Sequence, residues 1–276
     1  MNPKNSAQDS DEAPNGDLVK SPDSASTAKP GVGPTRMSKE SIVPGALYVV
    51  STPIGNLEDI SFRAMHILAG VDVIAAEDTR TTGILLKYLG ITKPLVSFYS
   101  RNEKRRSSEL LKRLQQGSSV AVVSDAGTPG ISDPAFALIQ AATEEDLPVI
   151  PVPGASAVLA AIVGSGLPTD RFVFEGFLPV KKGRQSRWKR LVEEERTIVL
   201  YESPHRMERT LEELIANLGD RHIAVARELT KKFEQFLRGK ASTVLARLRA
   251  QAPRGEFVLV IAGKGLRRPD SESPST

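Results

Sequence analysis

The 276-residue sequence predicts an α/β fold of two consecutive halves, a mainly parallel sheet first and a smaller α/β unit after it. Three observations predict it. Short β-branched runs alternate with helix-forming stretches through the whole middle of the chain. In the first half these runs are apolar at successive positions rather than alternate ones, the pattern of strands covered on both faces. Both ends of the chain lose the pattern. Residues 1–44 are rich in Ser, Pro, Asp, Asn and Lys, with Leu18, Val19, Val32 and Ile42 as their only large aliphatics before Val43. Such a segment cannot bury enough apolar surface to offset the entropy of ordering it, so residues 1–44 and 266–276 are expected to be disordered tails.

Taken in order, the first expected strand is Leu47–Ser51, followed by a helix over Ser61–Ala69. Strand Val71–Ala76 leads into helix Thr82–Leu89, where Ile84, Leu85, Tyr88 and Leu89 recur at helical spacing and predict one apolar face. Strand Leu95–Phe98 precedes helix Glu103–Gln115. Strand Val120–Ser124 precedes helix Pro134–Glu144, which Ser132-Asp133-Pro134 is expected to open with proline at the first position. Strand Val149–Val152 precedes a helix rich in Ala and Gly from Ala155 to Ser165. A domain boundary is expected near 160–168, giving an N-terminal domain of 45–163 and a C-terminal one of 164–265. The second series has strands Phe172–Glu175, Thr197–Tyr201, Ile223–Ala226 and Phe257–Ile261, separated by helices Lys182–Glu194, Met207–Leu218 and Ser242–Ala250.

Composition narrows the chemistry. The absence of cysteine excludes disulfides, zinc–thiolate sites, iron–sulfur clusters and a thiol nucleophile, and suits a reducing cytoplasm. His66, His205 and His222 are too scattered to suggest a metal site. The most apolar stretch, Val149–Leu167, is broken by Pro151, Pro153, Gly154, Gly164 and Gly166, so no membrane span is expected. The start lacks a basic segment followed by an apolar one, so no secretion signal is expected either. Net charge is +4, and residues 1–45 hold five Lys/Arg against six Asp/Glu, so the basic excess lies in the rest of the chain. A polyanionic partner is permitted, not required.

Ligands of open α/β sheets bind beyond the carboxyl ends of the strands. After the first strand, Pro53 fixes φ and Gly55 permits close backbone approach within Thr52–Asp59, which reads as a plain turn or as a ligand cradle. It is no dinucleotide fingerprint. After the second strand, Glu77 and Asp78 serve as acceptors or as a helix cap, with Arg80 as partner. The fourth strand runs into Ser124–Pro134, a turn with two Gly, two Pro, two Asp, two Ser and a Thr, more elaborate than connection requires. Small residues after Pro153 leave amides for an anion at a helix start. In the second half, Tyr201–Arg206 and Ala226–Lys232 follow strands and mix acid with base. The segment Lys181–Arg190 has six basic residues, no acid and the only tryptophan, Trp188. It reads as a solvated face or as phosphate contact with base stacking.

The motifs Thr52–Leu57, Ala76–Arg80, Ser124–Pro129, Ile131–Pro134, Pro153-Gly154, Phe174–Pro179, Tyr201–Arg206 and Ala226–Lys231 stand in order from about Leu47 to Gly263. Together they resemble the ribosomal RNA small subunit methyltransferase I family, a branch of the tetrapyrrole methylase superfamily. The resemblance implies a two-domain class III methyltransferase, with S-adenosylmethionine between a mainly parallel sheet and a smaller mixed one. It further implies 2′-O-methylation of a cytidine in the decoding region of 16S rRNA by a cytoplasmic homodimer. One departure is visible: members often carry His-x-His-Asn-Glu after the third strand, where this chain has Tyr99-Ser100-Arg101-Asn102-Glu103.

On this reading the cofactor is expected at Pro53, Gly55, Asn56, Asp125, Ala126, Gly127, Thr128, Asp133, Gly154 and Ser156. Methyl transfer from a sulfonium needs an aligned oxygen and a proton acceptor, for which the candidates are Asp78, Glu77 and Glu228. Arg80, Lys182, Arg184, Arg187, His205, Arg206, Arg227 and Lys231 are the candidate substrate contacts. Two rivals are a small-molecule methylase acting on a tetrapyrrole and a non-catalytic RNA-binding module. The basic 181–190 segment disfavours the first, and the dense polar loops disfavour the second.

Overall fold

A computed structural model describes residues 42–250 and 254–266. Its first sheet holds β1 (Leu47–Val50), β2 (Val73–Ala76), β3 (Leu95–Ser97), β4 (Val120–Val123) and β5 (Val149–Val152) in the order β3-β2-β4-β1-β5. Every pairing is parallel. Alternation along each strand divides the side chains between two layers. Tyr48, Val50, Ile74, Ala76, Ala121 and Val123 pack on α1 (Phe62–Gly70) and α2 (Thr79–Leu89). Leu47, Val49, Val73, Ala75, Val120 and Val122 pack on α3 (Glu103–Gln115) and α4 (Phe136–Glu144). Neighbouring strands β1 and β4 thus lead to helices on opposite faces, and their loops part at the carboxyl edge. Such a switch point is where open sheets bind ligands.

The second sheet, β6-β7-β10-β8-β9, is mixed. It comprises β6 (Phe172–Phe177), β7 (Thr197–Glu202), β8 (His222–Arg227), β9 (Gln235–Lys240) and β10 (Phe257–Ile261). Only β6 and β7 run parallel. One face packs on α6 (Arg184–Leu191), α7 (Pro204–Leu218) and α8 (Ala241–Ala250), around Trp188, Leu200, Met207, Leu211 and Leu259. The other face packs on α5 (Ala157–Ser165) through Val158, Ala161 and Ile162. Because α5 lies on the second sheet, we propose the division of the two halves at the Pro153–Ser156 connection rather than near 160–168.

Four local differences from the expected pattern have physical causes. In α2 the buried residues are Thr82, Leu85 and Leu86, while Ile84 and Tyr88 are exposed, so the helix is rotated from its apparent apolar face. Helix α4 begins at Phe136, not Pro134. Its cap is Glu103, whose carboxylate accepts from Ala135 N–H at 3.1 Å and Ala137 N–H at 3.4 Å. Strand β9 is absent from the expected pattern because an edge strand with Arg238 and Lys240 on it reads as polar loop. Ile42 packs on the first core and Val43 N–H donates to the Tyr48 hydroxyl at 2.9 Å, so core contacts begin before residue 44. The rest of the expected tails lies outside the described residues, save residue 266. Within those residues no helix is long and apolar enough to cross a membrane.

Candidate active site

The carboxyl ends of β1 and β4 are tied together before they part. Thr52 N–H donates to Gly127 O at 2.9 Å, Gly127 N–H donates back to Thr52 O at 3.1 Å, and the Thr52 hydroxyl donates to Ser124 O at 3.0 Å. Beyond this tie a cleft of about 340 Å³ opens between the two sheets. The first sheet and the connection that follows it contribute Ile54, Ala126, Gly127, Thr128, Ile131, Ser132, Asp133 and Ser156 to its walls, and α5 contributes Ala157. The second contributes Phe177, Tyr201–Pro204, Ala226, Leu229 and Gly255–Val258. A volume in this range matches small-molecule and cofactor sites, roughly 300–1,000 Å³.

Of the residues expected at a cofactor, Ala126, Gly127, Thr128, Asp133 and Ser156 line this cleft. Ser156 caps α5 through its hydroxyl, at 3.4 Å from Leu159 N–H. Pro53 and Asp125 instead face a smaller cavity of about 120 Å³ on the other side of the tie. Gly55, at φ +154°, packs where a Cβ would collide with Lys231, and Gly154 sits where a Cβ would crowd Ser51. Asn56 caps a 3₁₀ turn at Leu57–Asp59, accepting from Glu58 N–H at 3.1 Å. These three shape the loops rather than line the cleft. Ile54, Tyr201–Pro204, Leu229 and Gly255–Val258 also line the cleft, outside the set expected at a cofactor. For Tyr201–Pro204 the Tyr201–Arg206 motif is the signal present in the sequence.

The three candidate proton acceptors separate by environment. Asp78 caps α2, accepts from Arg80 N–H at 2.8 Å and pairs with the Arg80 guanidinium at 2.6 Å. That hydrogen bond holds its carboxyl down at about 2. Burial pushes Glu228 up, but the Glu256 amide and Lys231, at 3.0 Å, outweigh it and leave the carboxyl below the usual range. Glu77 differs. Burial raises it, and Asp133, Asp125 and Asp78 nearby raise it further, against the opposing Asp125 N–H that it accepts at 3.2 Å. Asp133 and Asp125 are raised too, chiefly by burial. Tyr201 is pushed up to about 12 by burial, and the Asp133 charge adds to it.

The basic residues expected at a substrate divide in the same way. Arg184 is 3% exposed and its guanidinium is spent inside the protein: Nε on Glu213 at 2.5 Å, Nη2 on the Thr210 hydroxyl at 2.7 Å, Nη1 on Pro179 O. Trp188 is fully buried and donates from Nε1 to Glu213 at 2.9 Å. Both side chains lie in the second core, so 181–190 presents no exposed indole for base stacking, contrary to that expectation. Arg187 pairs with Glu175 at 2.7 Å, and Arg206 with buried Glu202 at 2.6 Å. Arg227 donates to Arg254 O, and Lys231 bridges Glu228 and Glu256. Lys182 and His205 are exposed. Asn102 and Glu103 both have structural work here: Asn102 accepts from Tyr99 N–H at 2.8 Å, and Glu103 caps α4. Among the described residues no cluster of three His, Asp or Glu could hold a metal ion.

Residues 46–245 match the family model described as Tetrapyrrole (Corrin/Porphyrin) Methylases. A protein of Synechocystis sp. named Ribosomal RNA small subunit methyltransferase I is 55% identical over 221 residues, spanning 79% of each chain. The chain belongs to the ribosomal RNA small subunit methyltransferase I family. A Thermotoga maritima member is 47% identical over 80% of this chain and 99% of its own. The fold is shared further afield. A Thermus thermophilus uroporphyrin-III C-methyltransferase, solved in complex with S-adenyl homocysteine, superposes with a TM-score of 0.54. It is 19% identical and covers 79% of this chain and 97% of its own.

Proposed function

We propose that this protein transfers the methyl group of S-adenosylmethionine to the 2′-hydroxyl of a cytidine in the decoding region of 16S rRNA, acting on the small ribosomal subunit in the cytoplasm. The observation that carries the reading is the cleft: motifs that resemble those of rRNA methyltransferases line much of it, and its volume suits a nucleoside cofactor. The residues present fit that group. Ile54, Leu229 and Val258 offer apolar walls to a base, while the α5 amino end and Ser156 offer donors to a carboxylate. Asp133 lines the same cleft, where its charge would favour a cationic ligand. When bound, S-adenosylmethionine supplies an already electrophilic methyl. The chain's own part is to orient the ribose, exclude water and accept a proton.

Of the three expected acceptors, Glu77 is the one free of a cationic partner, and we place the proton there. A raised acid is ionised only above its raised pKa. The rate should therefore climb with pH through an inflection above the ordinary glutamate value, then level off. Glu77→Gln keeps an oxygen for Asp125 N–H, so it should remain folded yet lose about 10²–10⁴-fold in rate along with that inflection. A variant with wild-type rate and pH profile rejects the placement.

Transfer of labelled methyl from S-adenosylmethionine to isolated small subunits, with mapping of the modified nucleotide, tests the whole reading. Label confined to free tetrapyrrole, or to a base rather than a ribose, would reject it. Leu159 and Val163 lie one turn apart on α5 and are exposed, which favours association of two copies, as the family resemblance implies. Sedimentation as a monomer at micromolar concentration would count against that.

A further inference from the structure

Beside the cofactor cleft lies the smaller cavity, and we propose that it receives the base of one extruded pyrimidine nucleotide of the RNA being methylated. The inference rests on the reading of this chain as an rRNA methyltransferase and names where that substrate sits. Position comes first. In the two tied loops, Thr52-Pro53 and Ser124-Asp125 face the smaller cavity, while Ile54 and Ala126–Thr128 face the larger. Occupants of the two cavities would lie on either side of those loops, whose Asp125 amide donates to Glu77.

Size then restricts the occupant. A cavity of about 120 Å³ is too small for a complete nucleoside cofactor. A closed cavity of about 150 Å³ takes up benzene, so an open one slightly smaller matches a single six-membered ring. Its walls are matched to a planar base. Pro53, Leu57, Ile84 and Leu85 offer apolar faces, and Thr81, Ser124 and Asp125 offer polar groups. A carboxylate accepts from the exocyclic amine of cytosine, whereas uracil would present a carbonyl oxygen to it. Ile84, at the edge of this cavity, is an aliphatic side chain 67% exposed among the described residues. Arg80 stands on the same helix, and exposed Arg101 and Lys104 follow β3 at the same sheet edge, placed for the flanking phosphates. Turning one nucleotide out of a stacked strand costs its stacking, and contacts to its base in such a cavity would offset that cost.

The test uses the full chain, S-adenosylmethionine and isolated small subunits carrying cytidine or uridine at the mapped target. Ile84→Asp, an exposed change, should raise the half-saturating subunit concentration or lower the rate at least tenfold, with cofactor affinity by calorimetry and melting temperature unchanged. Asp125→Asn keeps an acceptor for Asp78 N–H and should reduce the preference for cytidine over uridine roughly tenfold. Wild-type kinetics in Ile84→Asp together with an unaltered preference in Asp125→Asn would overturn the proposal. So would loss of cofactor affinity in Ile84→Asp, which would give the cavity to the cofactor. A wild-type chain that labels no subunits defeats the underlying reading instead, and is recognised because the unmodified protein is already silent.

Discussion

Replacing Trp188 with alanine should cost about 3–5 kcal/mol of folding free energy, read as a lowered denaturation midpoint, while the folded fraction keeps its affinity for subunits. The indole is completely buried against Leu191, Met207 and Leu211, so truncation leaves a cavity that the surrounding helices fill only in part. It also removes the Nε1 donor from Glu213, whose carboxylate holds Arg184 at 2.5 Å and Arg209 at 2.8 Å. Burial raises the Glu213 carboxyl, but these three donors outweigh it and keep it below its ordinary value. Stripping one of them leaves the partly buried Glu213 carboxylate short of a donor. A loss below about 1 kcal/mol, with subunit affinity reduced, would restore Trp188 to the RNA surface.

The second large effect is expected at the cofactor. Asp133→Asn should weaken S-adenosylmethionine binding about 10–100-fold, the scale of a hydrogen bond to a charged group, and leave the melting temperature nearly unchanged. Calorimetric titration reads it. The pH dependence supplies a sharper check. Burial raises the Asp133 carboxyl, so as pH falls through that raised value the group protonates before an ordinary aspartate would. It then ceases to favour a cation, and wild-type affinity should drop there while the asparagine variant stays flat. Equal affinity in both proteins at every pH would remove Asp133 from the cofactor's contacts.

Much of this architecture could be read from the residues. Val120–Val123 is apolar and buried at every position because both faces of a parallel sheet are covered there, and strand ends come within a residue or two on that signal. The cleft was half legible. Gly127, Thr128 and Asp133 stand in a loop too elaborate for a turn, whereas Leu229 and Val258 look like any core residue until the second sheet is placed. The basic helix misled for a physical reason. A run of cations with no acid in it says nothing about acids elsewhere, and Glu213 and Glu202 reach Arg184 from α7 and β7, eighteen or more residues away in sequence. Charge pattern is local; charge compensation is not.

Gly55 belongs to the β1 loop, yet the space a side chain would need there is filled by Thr230 and Lys231 from the far end of the chain. The loop opposite is itself unusual, with Glu228 and Thr230 both at positive φ and Lys231 clasped by two carboxylates. The two segments mesh as a tooth and a notch. What residue 55 is permitted to be is thus decided about 175 positions later, and a methyl group added at the notch would be felt as a misfit between the halves, not as a fault of the turn that carries it.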